Sequence, residues 1–576
     1  MAGVFVKTTR RKRGDKTYEY LSLVEAVRDG DRTGHRTLMR LGEVSALQSS
    51  GQLERIVAAL QRHLEQDGHT PAGVEMEALS AESARSIGAT AAVDALWQRL
   101  HLDVHFAGIG LERGAGLLDD AVFAIVANRL IDPCSKRRLP EWVDADVVMP
   151  ASFEAPSTDQ YYRALDVVAA VKETTEAELY SALCDLTNLD LRLVCYDLTS
   201  TYFEGSPRGS DRFPAKAFGY SRDHRSDRPQ VVIGLLCTSD GIPIAHHVFA
   251  GNTADVTTLS GVLADLQHRF GVGRICVVAD RGLISADNVD VVAGHGYDHV
   301  IATKLHRDPT CHEALTASAA PDAVWVPVPA AHSTACDIVL ADGRRAVVVA
   351  SAERQRRDST RTAELVARTE ARLLGLEDRV RAGRLVDAGK IGRAAQRILG
   401  PSGVGHLFEV EIAESRFLYH YNDAAFDYEE LLAGRYVLTT SLTVHDADTA
   451  AVVVAYRQLQ AVEARFRVLK DFLHLRPVRH WTERRVHGHI AVCVYAAVIE
   501  ALITQALAAA DIRDPDLSDQ PLSAARALRE LARIRSVRLD AGERRVDVIT
   551  RRNPLQAHIL DALGVDTSGW DRAQIT

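Results

Sequence analysis

The chain has 576 residues, of which 47% are hydrophobic and 25% charged, a composition typical of folded proteins with more than one domain or one core with large insertions. A formal net charge of -9 excludes a protein that coats DNA through overall basicity, although a local basic face still permits DNA binding. No run of 18 apolar residues and no secretory signal are found, and the eight cysteines form no C-x-x-C pair. We therefore expect a cytoplasmic protein with reduced cysteines and no membrane partner.

The first third of the chain predicts two regions. Residues 1–85 begin with short strands up to about residue 45 and continue with an amphipathic helix at 52–64, QLERIVAALQRHL. Residues 86–190 are helical in pattern and include the basic break DPCSKRRLPEW. This helical region is a candidate for DNA binding through Lys136, Arg137 and Arg138, although a solvated loop is the more common explanation of such a charge run.

From residue 191 the spacing of apolar residues changes from a helical pattern to one typical of strands. A strand at Leu193–Phe203 carries Asp197, and QVVIGLLC and IPIAHHVFAG form a hairpin with its turn at 239–241. A helix follows Asp255, the strand RICVVAD ends in Asp280, and YDHVIATKL is a further strand. This order, over residues 191–305, is that of the first part of a ribonuclease H-like core.

The remaining chain predicts an interrupted core. Residues 306–440 form an insertion that begins strand-like, continues as a charged helix from about 353 and returns to a strand at GRYVLTT. Residues 441–510 supply the second, helical part of the core, and 511–576 form a C-terminal tail. The predicted fold class is α/β, a ribonuclease H-like mixed-sheet core interrupted by a large, partly β insertion, with an N-terminal helical region.

Three acids are candidates for a metal site. Asp197 interrupts an apolar strand, Asp280 ends another, and Glu463 borders the buried stripe of the helix AYRQLQAVEARFRVLKDFLHL. Tyr456, Glu463 and Lys470 are seven residues apart and share one helix face. Carboxylates from separate elements suit two Mg²⁺ ions, which activate a hydroxyl and stabilise the leaving oxygen in phosphodiester displacement. Each Asp alone is more often a turn former, so the prediction depends on all three acids occurring together on the expected elements.

Several stretches together resemble one family. YDLTSTYFEG, GYSRDHRSDRPQ, GIPIAHHVFAGNTADVTT, VVADRGLIS and Y-x6-E-x6-K followed by LRPVRHW are similar to the bacterial insertion-sequence DDE transposases. The most similar group carries Tyr-x2-Arg-x3-Glu-x6-Lys around its third acid, and the likeness covers about 190–500. By resemblance, Asp197, Asp280 and Glu463 are the catalytic, metal-binding triad. The family's insertion, which binds DNA, matches 306–440 in place and partly in pattern.

The resemblance also implies DNA contacts. Tyr456 and Lys470 match helix positions that contact transposon ends, whereas Leu459 stands where the group has Arg. The basic residues of that helix, Arg465 and Arg467, are predicted to position phosphates. Arg222 and Arg225, in the loop before the hairpin, are predicted to do the same, although a solvated loop is an equal alternative.

The predicted reaction is Mg²⁺-dependent cleavage at the ends of an insertion sequence and strand transfer into target DNA, with two ions that Mn²⁺ can replace. Its partners are inverted-repeat ends and target DNA, and pairing two ends implies a dimer. No G-x-G-x-x-G or P-loop is found, so we expect no nucleotide cofactor. The four histidines of 474–489 do not favour zinc, and Trp481 is expected to pack rather than stack on a base.

Two alternatives remain open. One is a metal-dependent phosphohydrolase with Asp197 as its nucleophile, since an apolar strand ending in Asp-x-Thr suits that chemistry. It leaves Glu463 unexplained, and Thr199 stands where such enzymes want a second Asp. The other is a non-catalytic DNA-binding protein derived from a transposase, against which the presence of all three acids argues.

Overall fold

The structure is a computed structural model that describes residues 4–13, 16–29, 32–43, 80–187, 193–204, 213–270, 275–280, 286–303, 308–540, 545–570 and 574–575. The helix predicted at 52–64 lies outside the described residues. So do residues 205–212 of the basic loop and the RGLIS stretch that follows Asp280.

The N-terminal region begins with a three-stranded antiparallel sheet of β1 (Val4–Arg13), β2 (Lys16–Asp29) and β3 (Arg32–Glu43). These strands have 10, 14 and 12 residues, so the prediction of short strands is wrong for this region. A further strand, β4 (Ser80–Ser86), precedes the helices.

The region predicted to be helical contains five long helices between Gly88 and Thr187. Its helices are α1 (Gly88–Arg99), α2 (Leu102–Arg113), α3 (Leu118–Ile131), α4 (Thr158–Ala170) and α5 (Lys172–Thr187). Helix α4 begins at a capping box, in which Ser157 accepts from the backbone N–H of Gln160 while the Gln160 side chain accepts from that of Ser157. Helix α3 is buried along most of its length, which makes this region part of the main hydrophobic core.

The core begins with β5 (Leu193–Tyr202), the hairpin β6 (Gln230–Thr238) and β7 (Pro243–Ala250), and α6 (Leu259–Phe270). It continues with β8 (Cys276–Ala279), α7 (Ala286–Gly294) and β9 (Asp298–Ala302). This is the predicted strand, hairpin, helix, strand, helix, strand order. The hairpin turns at Gly241, whose positive φ of 76° favours glycine and whose backbone N–H donates to the Thr238 carbonyl.

The segment at 306–440 departs from its prediction. It begins with a helix, α8 (Pro309–Ser318), because Asp308 caps the N-terminus and Pro309 suits the first helical position. It continues with β10 (Trp325–Val328), β11 (Ser333–Val339), β12 (Arg345–Ala350), α9 (Ala352–Arg381), α10 (Ala388–Leu399), β13 (Phe408–Ala413), β14 (Arg416–Tyr421), α11 (Asp423–Leu432) and β15 (Arg435–Thr440).

The strands of this segment extend the core sheet. Among the described residues, nine strands form one mixed sheet in the order β10-β11-β12-β15-β9-β8-β5-β6-β7. Strands β5, β8 and β9 are parallel, and the other pairs are antiparallel. Helices α9 and α10 pack instead with the hairpin β13-β14 around a separate small core.

The chain after β15 contains α12 (Thr449–Arg457), α13 (Leu459–Arg467), α14 (Glu483–Ala509), β16 (Arg513–Asp514), β17 (Leu517–Pro521), α15 (Ala524–Leu531), β18 (Arg535–Asp540), β19 (Arg545–Ile549), α16 (Pro554–Ala562) and β20 (Gln574–Ile575). Strand β18 pairs with β4, which joins the tail to the start of the helical region.

Helix α14 is the central helix of the core. It is apolar on all sides and packs against α3 and α4, so closely that a Cβ on Gly488 would lie 2.1 Å from the Leu165 carbonyl oxygen. In the described part of the chain it is the one helix long and apolar enough to cross a membrane, but 83% of its apolar window is buried inside the protein. Such burial is what a core helix requires.

Candidate active site

The two predicted aspartates lie on neighbouring parallel strands. Asp197 is the fifth residue of β5, and Asp280 directly follows the last residue of β8. The register pairs Leu193 with Cys276 and Cys195 with Val278. Continued by two residues, this register sets Asp197 beside Asp280, and residues side by side in a parallel pair point to the same face of the sheet.

The pKa of Asp197 reflects its burial and the charges of both other acids. Burial raises the pKa of Asp197 to about 7, and the charges of Asp280 and Glu463 act in the same direction. The backbone N–H of Leu198, 2.7 Å from Asp197 Oδ1, and the guanidinium of Arg222 oppose them without cancelling the rise. Asp197 therefore lies near both other acids in a poorly hydrated environment.

Glu463 reaches this region on α13, which packs against β5. The predicted buried stripe is confirmed, because Leu459, Val462, Phe466, Leu469 and Leu473 are all buried. Glu463 is exposed on the adjacent face. The prediction of one continuous helix is wrong, since the helix is interrupted at Gln458 and continues after Arg467 as a π-helical turn, Val468–Phe472.

Tyr456 and Lys470 bracket Glu463 and each contacts an acid. The Tyr456 hydroxyl donates to Asp280 Oδ1 over 3.4 Å. The Lys470 ammonium donates to Asp223 Oδ1 over 2.7 Å, and burial lowers the pKa of this lysine although Asp223 opposes the shift. The face shared by Tyr456, Glu463 and Lys470 is therefore turned toward the acids of the sheet and its loop.

The loop before β6 adds ion pairs beside the acids. Arg222 donates to Asp255 over 2.6 Å, and Arg225 forms a two-pronged pair with Asp227 while its guanidinium lies 4.9 Å from the centre of the Tyr202 ring. Arg222 and Asp255 also line a cavity of about 430 Å³. Both arginines predicted to contact DNA are thus held by carboxylates in this structure.

The donor set has the chemistry of a divalent-cation site. Three carboxylates supply the hard oxygen ligands that Mg²⁺ prefers, and a cation relieves the repulsion that Asp197 experiences. Across the described residues, however, no three acidic, histidine or cysteine side chains are close enough to hold one ion together. To bind one ion together, the carboxylates of Asp197, Asp280 and Glu463 would have to move closer to one another through side-chain rotation rather than through movement of their strands and helix.

Comparisons with known proteins identify the family. Residues 189–499, more than half of the chain, match the transposase DDE domain, and residues 6–72 match the N-terminal domain of the IS1634 family transposases. The chain belongs to the DDE transposase family. It is therefore a polynucleotidyl transferase that binds DNA and catalyses transposition of an insertion sequence, which decides against the phosphohydrolase and non-catalytic alternatives.

The similarity of this transposase to solved structures is weaker than its match to the family. A piggyBac transposase synaptic complex with hairpin DNA is 9% identical, with 72% of this chain and 70% of that chain covered and a TM-score of 0.31. A Mos1 transposase paired-end complex with the left transposon end is 13% identical, with 29% and 54% covered and a TM-score of 0.14. No curated protein matches.

One predicted DNA contact of the transposase is corrected. Arg465 is only 8% exposed, pairs with Glu500 of α14 and donates to the Gly241 carbonyl over 3.0 Å. It lies three residues after the buried Val462 and so falls within the buried stripe. Arg465 therefore presents no free charge to DNA, whereas Arg467 is exposed.

Two further features of the transposase differ from expectation. Trp481 is 60% exposed, so its predicted packing role is wrong. Asp223 was missed, although its side chain is only 3% exposed and binds both Lys470 and Arg476. The available signal was an acid inside the basic stretch GYSRDHRSDRPQ, since an acid flanked by arginines is a natural ion-pair centre.

Proposed function

We propose that this transposase cleaves DNA at the inverted-repeat ends of its insertion sequence and joins the freed 3′-hydroxyl to target DNA, using Asp197, Asp280 and Glu463. The observation that carries this proposal is the placement of the first two acids on adjacent parallel strands, with the helix of the third packed against the same strand. The group with the Tyr-x2-Arg-x3-Glu-x6-Lys signature remains the proposed subgroup, with Leu459 as its one departure.

The three acids would hold two Mg²⁺ ions, or Mn²⁺ in their place. Such ions supply activation of a water or a 3′-hydroxyl and stabilisation of the leaving oxygen. The partition in which Asp197 serves both ions, Asp280 one and Glu463 the other belongs to the same proposal.

The protein's own groups would orient this site. The N–H of Leu198 fixes one oxygen of Asp197, and the Tyr456 hydroxyl fixes one oxygen of Asp280. Lys470, Arg222 and Arg225 are proposed to meet DNA phosphates. In the structure their charges are held by carboxylates, so DNA would have to replace these partners.

Transposon ends are the proposed DNA partner of this chain. The two solved complexes described above hold a hairpin DNA in one case and a left transposon end in the other. Because two ends must be cut and joined together, we propose that the protein acts as a dimer on DNA, in the cytoplasm.

The test is cleavage of a duplex that carries one inverted-repeat end, with Mg²⁺ as the only divalent ion. Asp197→Asn, Asp280→Asn and Glu463→Gln keep side-chain size but remove charge, and each is expected to abolish cleavage while DNA binding persists. Asp240→Asn, in the hairpin turn, is the matched control and is expected to cleave normally. Cleavage retained by any of the three site variants would reject the site.

A further inference from the structure

A second basic site lies where the helical region meets the segment that follows the π-helical turn. This junction contains a cavity of about 520 Å³, a size typical of ligand sites. Its walls come from α3, the loop after α3, α4, the segment 474–482 and the start of α14. The loop is the DPCSKRRLPEW break, and the segment is the LRPVRHW stretch.

Two buried cations line this junction cavity without an anion to balance them. Lys136 is 4% exposed, and its ammonium has no hydrogen bond or ion pair among the described residues. Arg129 is 6% exposed and donates to the carbonyls of Leu473, His474 and Cys134, while its Nε has no partner in the described structure.

The charges around Lys136 confirm this imbalance. Burial and the neighbouring charge of Arg129 lower the pKa of Lys136 well below its ordinary value, and no carboxylate opposes them. The nearby carboxylates are bound to arginines that line the cavity. Asp166 pairs with Arg485 at 3.5 Å and Glu204 with Arg479 at 3.7 Å, and Arg476 is held by Asp223 and Asp471. Burying positive charge without a counter-charge is costly, so the cavity is built to be completed by an anion.

We propose that the junction cavity binds one backbone phosphate of the DNA on which the transposase acts, held by Lys136, with the buried positive charge of Arg129 beside it. The proposal rests on the proposed function, because it takes the anion to be a phosphodiester. The exposed ring of Trp481 at the rim offers a stacking surface for a base next to that phosphate. The proposed phosphate site also gives the helical region a defined point of contact with DNA. This region is a candidate for DNA binding by its sequence.

The cavity is coupled to the active site through the backbone. The backbone N–H of Val478 donates to the Tyr202 carbonyl over 3.0 Å, and the backbone N–H of Glu204 donates to the Val478 carbonyl over 3.2 Å, so the cavity segment continues beside the end of β5. Tyr202 is the fifth residue after Asp197 along β5, which corresponds to roughly 17 Å of strand. At 3.4 Å of rise per nucleotide, the bound phosphate would lie about five nucleotides or more from the reacting bond.

Lys136→Met tests the proposal, because it keeps the volume of the side chain and removes its charge. We expect the affinity for a duplex carrying the element's end to fall about tenfold or more, and the slope of log K against log salt to decrease by about 0.9. The melting temperature of the DNA-free variant should rise, since an unpaired buried charge is gone. Unchanged affinity and slope would overturn the proposal.

Inorganic phosphate provides a second readout that needs no DNA. Millimolar phosphate should raise the melting temperature of the wild type above that in NaCl of equal ionic strength, and should leave Lys136→Met unaffected. Arg163→Gln is the matched control, because Arg163 is an exposed arginine next to Tyr162 of the cavity wall, and it should keep the phosphate response. If Lys136→Met does not fold, a wild type without a phosphate response overturns the proposal by itself.

The result is separable from the active-site proposal. Asp197→Asn should lose cleavage and keep the phosphate response, whereas Lys136→Met should bind DNA weakly and keep all three acids. An Asp197→Asn protein that still cleaves DNA would reject the catalytic assignment and leave the cavity intact. A phosphate response shared equally by wild type and Lys136→Met would reject the cavity and leave the catalytic assignment intact.

Discussion

Asp197→Asn should stabilise the protein when no divalent ion is present. The carboxyl group of Asp197 has its pKa raised from 3.8 to about 7 by burial and by the charges of Asp280 and Glu463. An acid with a raised folded-state pKa destabilises the fold once it ionises. The penalty begins as the pH rises above 3.8 and is complete above pH 7. Asparagine retains an oxygen for the Leu198 N–H and carries no charge, so it avoids the penalty.

The size of this effect follows from the same pKa. A shift from 3.8 to about 7 corresponds to a penalty of about 4 kcal/mol at pH 8 and about 2 kcal/mol at pH 5, as upper limits. Urea unfolding of wild type and Asp197→Asn in EDTA at both pH values measures the difference. We expect the variant to unfold at higher urea, by a larger margin at pH 8.

Mg²⁺ should reverse this order of stability. An ion held by the three acids as proposed would stabilise the wild-type fold by mass action, and it should do little for Asp197→Asn. Equal urea midpoints in EDTA at pH 8, or a variant less stable than wild type there, would refute the claim that burial and the neighbouring acids raise the pKa of Asp197.

Three further changes have defined outcomes. Arg465→Met should cost about 3–5 kcal/mol of unfolding free energy because it leaves Glu500 buried and unpaired, and the double variant with Glu500→Met should recover most of it in urea titrations; no recovery would contradict the buried pair. Asp223→Asn should release Lys470 and Arg476, so the salt slope of DNA binding should increase by about one to two; an unchanged slope would show that neither side chain meets phosphate. Tyr456→Phe should slow end cleavage about threefold to tenfold by removing a hydrogen bond of about 1 kcal/mol; a normal rate would show that the hydroxyl does not orient the site.

Local patterns predicted the parts of the fold that position the site. Alternating and continuous apolar runs predicted β5, the hairpin and β8, and the 3–4 spacing predicted which face of α13 is buried. The two aspartates stood out because a charge in an apolar strand is costly without compensation. These signals depend on neighbours within one element, which a sequence displays directly.

The pairing of strands that are far apart in the chain could not be predicted from such local patterns. Strand β15 pairs with β9 although more than 130 residues separate Thr440 from Val300, and this joins the predicted insertion to the core sheet. The pairing of β18 with β4 closes an even longer loop. Neither partner carries a local signal of the other, so the sequence predicted strands but not their sheet.

The burial of charged residues was misjudged for a related reason. Arg465 and Lys136 both lie in basic stretches, where a solvated or DNA-facing role is the usual interpretation. For Arg465 the helical spacing from Val462 already placed it in the buried stripe. For Lys136 the burial comes from residues more than 300 positions later in the chain, which no local pattern shows.

Anomalous diffraction from Mn²⁺-containing crystals of the transposase with an end duplex would test the metal site most directly. Two anomalous peaks enclosed by Asp197, Asp280 and Glu463 are expected, with both peaks lost in Asp197→Asn crystals. Peaks held by other side chains, or a Glu463 carboxylate that contacts neither ion, would contradict the assignment of these three acids as the catalytic centre.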